Sequence, residues 1–212
     1  MNYDLLKKMR KYLSVILVLI SLSTFSQTKK TILKSNLEIA TFANGCFWCT
    51  EAIFQRLEGV EKVISGYIGG SLKNPTYKEI TTGKTGHAEA LQIKFNPTII
   101  SYQELLDVFF STHNPTTLNK QGYDVGSQYR SAIFYYSEIQ KITAEKFIKE
   151  LTKANIFDNP IVTEVTLRTI FYRAENYHQN YYNNNKFQGY CKAVINPKLE
   201  EFIKKYKDKL KK

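Results

Sequence analysis

The chain has 212 residues, 43% hydrophobic and 14% aromatic, with a formal net charge of +11. That length and composition suit one globular domain with a core of its own, and they exclude an intrinsically disordered chain. Three cysteines are an odd number, so a closed disulfide framework is excluded and at least one thiol is left over.

Residues 1–26 read as a signal peptide rather than as part of the fold. Lys7, Lys8, Arg10 and Lys11 form a basic stretch, Leu13–Leu22 is an apolar run, and the small residues Thr24 and Ser26 follow. Cleavage is expected between Ser26 and Gln27, and Met9 offers an alternative start. The apolar run is shorter than the roughly 20 residues a spanning helix requires. An exported protein, periplasmic or extracellular and without a stable membrane anchor, is therefore expected. Residues 27–36 are polar and basic and read as a linker, which leaves the folded domain at residues 37–212. Without the first 26 residues the charge falls to about +8, and much of the excess lies in Lys204–Lys212. That tail reads as the polar face of a terminal helix, and no nucleic-acid motif accompanies it.

Along the domain, Leu37–Ala43 alternates as a strand does, broken by Asn44-Gly45. Cys46–Leu57 has helical spacing of apolar residues, with Gly59 as the expected C-terminal cap. Val60–Gly70 is a second strand, Ser71–Gly86 a long loop with one helical turn after Pro75, and His87–Pro97 a third strand. Ser101 and Glu104 stand at capping-box spacing ahead of a helix through His113. Asn114–Gln128 is a loop long enough to suggest function. A strand Tyr129–Tyr136, a helix Ser137–Asn155 and a strand Pro160–Arg173 follow. Ala174–Asn185 reads as a short polar-aromatic helix and Asn196–Lys212 as a terminal one. Strands and helices mix without strict alternation. An α+β domain results, a two-layer α/β plait of split βαβ units (ferredoxin-like) with long loops.

The chemistry concentrates in "GCFWCTEA". Cys46 falls between a strand end and a helix start, where backbone N–H groups and the helix dipole favour a thiolate. Cys49 lies one helical turn on, within reach of a disulfide with Cys46. A zinc site is disfavoured because no second cysteine pair accompanies this one. A thioredoxin-like disulfide exchange centre is the rival reading, as is a Cys49 that is merely a small buried residue. Phe47 and Trp48 favour an apolar platform for a small hydrophobic group. Glu89, in an otherwise apolar strand, reads either as a buried acid or as a salt-bridged or exposed glutamate. Tyr77 and Tyr129 follow turns, where their hydroxyls can donate to a developing oxyanion.

Together "GCFWCTEAIFQRLEGV", "GYIGGSLKNPTYKEITTGKTGHAEALQIKFNP", "LLDVFFSTHNPTTLNKQGYDVGSQYRSAIFYY" and "AENYHQNYY" resemble the A-type peptide methionine sulfoxide reductases over about residues 37–200. The resemblance implies that Cys46 attacks the sulfoxide sulfur and that Phe47 and Trp48 hold the S-methyl group. It implies that Glu89, with Tyr77 and Tyr129, protonates the oxygen, and that Asp124, His178 and Tyr181 shape the pocket. Cys46 would become a sulfenic acid and condense with a second thiol. The S epimer is the expected substrate, free or in proteins, with no bound cofactor or metal and a thioredoxin-like protein or dithiol as reductant. A monomer is expected, with no nucleic-acid partner. Many members of that family carry glycine where Cys49 stands and resolve through cysteines near the C-terminus. Here Cys49 is expected to resolve first, with Cys191 as a second-step partner. A general thiol–disulfide oxidoreductase is the alternative.

Overall fold

The structure is a computed structural model, and it describes residues 37–212. The expected signal peptide and linker lie outside the described residues. At the centre is β1 (Glu38–Asn44), whose last five residues are all buried. Such an unbroken buried run marks a strand covered on both faces. Around it the six-stranded sheet runs β7 (Glu164–Leu167), β6 (Ser131–Tyr135), β1, β3 (Ala88–Phe95), β2 (Val60–Ile68) and β8 (Tyr172–Arg173). Every pairing is antiparallel except β6 with β7. The fold is mixed α/β with a mostly antiparallel sheet.

Helix α1 (Phe47–Phe54) is apolar nearly all round and buries seven of its eight residues. A helix of that kind belongs inside a protein rather than on its surface. It packs on the sheet, where the Phe42 ring meets Phe54 at 5.8 Å and Phe109 at 5.0 Å. Phe109 comes from α3 (Tyr102–Ser111), whose start is the expected capping box: the Ser101 side chain accepts from the Glu104 N–H, and Glu104 answers at the Ser101 N–H. The turn after Pro75 is the short α2 (Tyr77–Ile80), and α4 (Glu138–Lys153) is capped by Ser137. The Asn114–Gln128 loop contains a small hairpin, β4 (Lys120–Gln121) with β5 (Asp124–Val125).

Four elements differ from expectation. Helix α1 stops at Phe54 rather than running through Leu57 to a cap at Gly59. Leu57 instead bridges to Leu210, and the Glu58 N–H donates to the Lys209 carbonyl at 2.8 Å. For the same reason the terminal helix α6 (Asn196–Lys205) ends early, and the tail turns back to meet Leu57. The strand expected over Pro160–Arg173 is two strands, β7 and β8, on opposite edges of the sheet. A continuous strand cannot pair with both edges, so the chain crosses between them. Gly66 makes room for that crossing: a Cβ there would lie 2.4 Å from the Tyr172 carbonyl oxygen. The Ala174–Asn185 segment likewise divides, at Asn180 in the left-handed region (φ 53°), into a 3₁₀ turn (Asn176–His178) and α5 (Tyr181–Asn184).

Candidate active site

After β1 the chain turns at Gly45 (φ 93°), a conformation that favours glycine. This turn sets Cys46 as the N-cap of α1, with its carbonyl accepting from the Cys49 and Thr50 N–H groups. The Thr50 hydroxyl donates to Asn44 Oδ1 at 2.8 Å and locks the corner. Placement at the helix start therefore agrees with the sequence, but the expected thiolate does not follow. The Phe47 N–H donates instead to Glu89 Oε2 at 3.0 Å. Burial pushes the Cys46 thiol well up, and Cys49 and Glu89 push in the same direction. Cys46 rests as a thiol.

Glu89 comes from β3 and is 1% exposed. Burial raises its carboxyl to about 8, with Asp124 and Cys49 adding to the rise and the Phe47 N–H opposing it. At neutral pH it is mostly protonated, a buried acid bonded to the amide of the residue after Cys46. Tyr77 and Tyr129 are half-buried, and burial followed by the Glu89 charge raises both hydroxyls above their ordinary value. Both stay protonated and able to donate.

An aromatic cluster surrounds His178, which is fully buried. Trp48 Nε1 donates to His178 Nδ1 at 3.0 Å, so the ring proton sits on Nε2. Burial lowers the His178 pKa and keeps the ring neutral. Phe47 lies 5.0 Å from the same imidazole and Tyr77 4.4 Å. Trp48, half-buried, stacks on Tyr181 at 3.7 Å and 8°. Phe47 is nearly closed off, at 1% exposure, and also faces Tyr67.

All three cysteines are free, buried and in one cluster with Ala52 and Ile195. Cys191 opens a turn of π-helix (Cys191–Ile195) that runs into α6. Cys49 Sγ lies 3.8 Å from the Tyr190 hydroxyl, which donates to Asp124 Oδ2 at 2.9 Å. The contact with Cys46 lowers the Cys49 pKa, against the opposing effect of burial. Among the described residues, no group of three or more His, Cys, Asp or Glu side chains is placed to hold a metal ion.

The family model described as "Peptide methionine sulfoxide reductase" matches residues 38–211. The chain belongs to this family.

Its similarity to proteins named peptide methionine sulfoxide reductase MsrA is extensive. It is 55% identical to the one from Deinococcus radiodurans, covering 82% of this chain and 84% of that one. It is 49% identical to that of Saccharolobus solfataricus, over 82% and 98% of the two chains. Among solved structures, reduced Mxr1 from Saccharomyces cerevisiae superposes with a TM-score of 0.68 at 35% identity, covering 76% of this chain and 94% of that one.

Several residues that hold this reductase-family site together escaped the sequence reading. Glu51 is 3% exposed and accepts the N–H groups of Asn180 (2.8 Å) and Tyr181 (3.1 Å), so α1 itself seats the ring that stacks on Trp48. A lone carboxylate in an apolar helix was the available signal. Glu175 accepts from the Tyr77 N–H and the Tyr67 hydroxyl, both at 2.8 Å. Tyr190 was hidden among 15 tyrosines, marked only by its neighbour Cys191.

Proposed function

We propose that the protein reduces methionine-S-sulfoxide, free or in proteins, to methionine and so repairs oxidised proteins. One observation carries the reading: a buried, protonated Glu89 bonded to the amide next to Cys46, beneath an aromatic cluster. A sulfoxide oxygen leaves poorly until it is protonated, so nucleophile and acid are needed together. The Cys46 sulfur attacks the sulfoxide sulfur, Glu89 gives its proton to the oxygen, and Tyr77 and Tyr129 donate hydrogen bonds to it. The Cys46 thiol proton returns to Glu89. The S–O bond of the substrate breaks as the protonated oxygen passes to the Cys46 sulfur; the electron pair of that bond stays on the departing methionine sulfur, and Cys46 is left as a sulfenic acid. Phe47 and Trp48 hold the S-methyl group, and His178, Tyr181 and Asp124 keep the cluster in register. Selection of one epimer follows from fixing methyl and oxygen on opposite sides of the sulfur.

Cys49 then condenses with the sulfenic acid. Its position one turn from Cys46, within the same buried cluster, supports this, and Cys191 in that cluster serves as the second-step partner. A disulfide left by such a cycle requires a dithiol donor, and a thioredoxin-like protein has that chemistry. A catalytic domain at residues 37–212 behind a signal peptide (1–26) and linker (27–36) would act as a monomer outside the cytoplasm, in the periplasm or beyond the cell. The neighbour order β6-β1-β3-β2 supports a ferredoxin-like plait as the core, since these are the fourth, first, third and second of its four main strands.

Turnover of S- and R-sulfoxide substrates with dithiothreitol tests the function. Methionine from the S epimer alone is expected. Efficient insulin reduction with no methionine formed would favour general thiol–disulfide exchange instead.

A further inference from the structure

The resolving step needs a base, because Cys49 must lose its proton as it attacks Cys46. The two groups already described are engaged elsewhere. Glu89 is protonated and bonded to the Phe47 N–H, and His178 Nδ1 accepts from Trp48. Near Cys49 stands Tyr190, whose one hydroxyl proton is committed to Asp124 Oδ2 at 2.9 Å. Its oxygen therefore faces Cys49 Sγ, 3.8 Å away, only as an acceptor. The tyrosine is held in place from two sides. Its ring packs edge-on against Trp48 at 5.8 Å and 76°, and the next residue, Cys191, is fully buried.

From these contacts the geometry points to a proton relay for resolution, resting on the function proposed above: Cys49 S–H to the Tyr190 oxygen, and Tyr190 O–H to the Asp124 carboxylate. The Cys49 sulfur supplies the electron pair of the new bond to the Cys46 sulfur. The S–O bond of the sulfenic acid breaks, and its electron pair leaves on oxygen. Glu89, reprotonated in the first step, gives that oxygen a proton, and water departs. The Cys49 proton ends on Asp124, so one proton is taken up and one released within the site. Burial and the neighbouring thiols hold Tyr190 far from ionising, so it passes the proton on without storing charge. The relay belongs to chains with a thiol at position 49; a glycine there would have no proton to hand over.

The test uses the Cys191→Ser enzyme, in which only a Cys46–Cys49 disulfide can close. One equivalent of methionine-S-sulfoxide is added without reductant, and two rates are followed. They are the methionine burst and the loss of Cys46 sulfenic acid to the disulfide, read by dione trapping and mass spectrometry. Tyr190→Phe keeps the ring, and Asp124→Asn keeps an acceptor for the hydroxyl but cannot take its proton. Each is expected to slow disulfide closure at least roughly tenfold more than it slows the burst, a floor set below the roughly 10²- to 10⁴-fold that proton-transfer catalysis contributes. Equal slowing of both steps in either variant, or closure at the parental rate, overturns the relay. Absence of any burst from the Cys191→Ser enzyme would instead remove the sulfoxide reductase reading, and the relay with it.

Discussion

Glu89 and Phe47 share a hydrogen bond of 3.0 Å that spans 42 residues of sequence and takes up the first amide of α1. The first amide of the helix, which by itself would help steady a Cys46 thiolate, is bonded to the Glu89 carboxyl instead, where it opposes the rise that burial imposes. Burial favours the protonated forms of both Cys46 and Glu89, and in the proposed reaction an arriving sulfoxide receives the Glu89 proton.

Acid loss should therefore set the alkaline limb of the first step. Glu89 acts in its protonated form, and its pKa is raised to about 8 by burial. The single-turnover rate of methionine release should hold at lower pH and decline as pH rises through about 8. In Glu89→Gln that limb should vanish and the plateau fall by about 10²-fold or more, as for removal of a general acid. A Gln variant with the parental pH profile would assign the proton to another group.

Trp48 meets His178 through its indole N–H and Tyr181 through its face. Trp48→Ala should raise KM for a small S-sulfoxide about three- to tenfold, the worth of roughly one buried methyl contact. A smaller change in kcat is expected. Steady-state kinetics on N-acetyl-methionine-S-sulfoxide would measure the split, and an unchanged KM would move the methyl site elsewhere.

Disulfide mapping after one turnover without reductant should find Cys46 joined to Cys49, or Cys49 joined to Cys191 once the second step has run. Cys49→Ala should leave Cys46 as a trappable sulfenic acid or joined more slowly to Cys191. A wild-type Cys46–Cys191 bond with free Cys49 would make Cys49 a small buried residue and no more.

Glu51 satisfies two backbone N–H groups at the start of α5 while buried itself. Glu51→Ala strands both donors, at a cost of about 1–3 kcal/mol for each that finds no water. Chemical denaturation should show that loss as a lower midpoint. Glu51→Gln, which keeps an acceptor, should recover part of it. Equal stability of Ala and Gln variants would mean that water replaces the carboxylate.

Much of the site was legible in "GCFWC" and "GHAEA" because each carries its own local signal: a strand end, a helix start, a carboxylate in an apolar run. Capping at Ser101 and the Pro75 turn were legible for the same reason, since their bonds close within three residues. Cys49 was visible as a thiol near Cys46, but its contact with Tyr190, and the bond from Tyr190 to Asp124, were not, because these pairs are 141 and 66 residues apart respectively.

From sequence alone came the candidate nucleophile, the candidate acid, the aromatic pair and the order of the main strands and helices, all features written within a few residues of one another. Tertiary structure decided where α1 ends, that Pro160–Arg173 divides between two sheet edges, and that three separated thiols share one buried cluster. It also buried Cys46, which pushes the thiol pKa up, against the lowering expected at a helix start. Periodicity and capping act between neighbours in the chain, whereas burial and the donors competing for an amide depend on every segment packed around the site, and those meet only when the sheet is assembled.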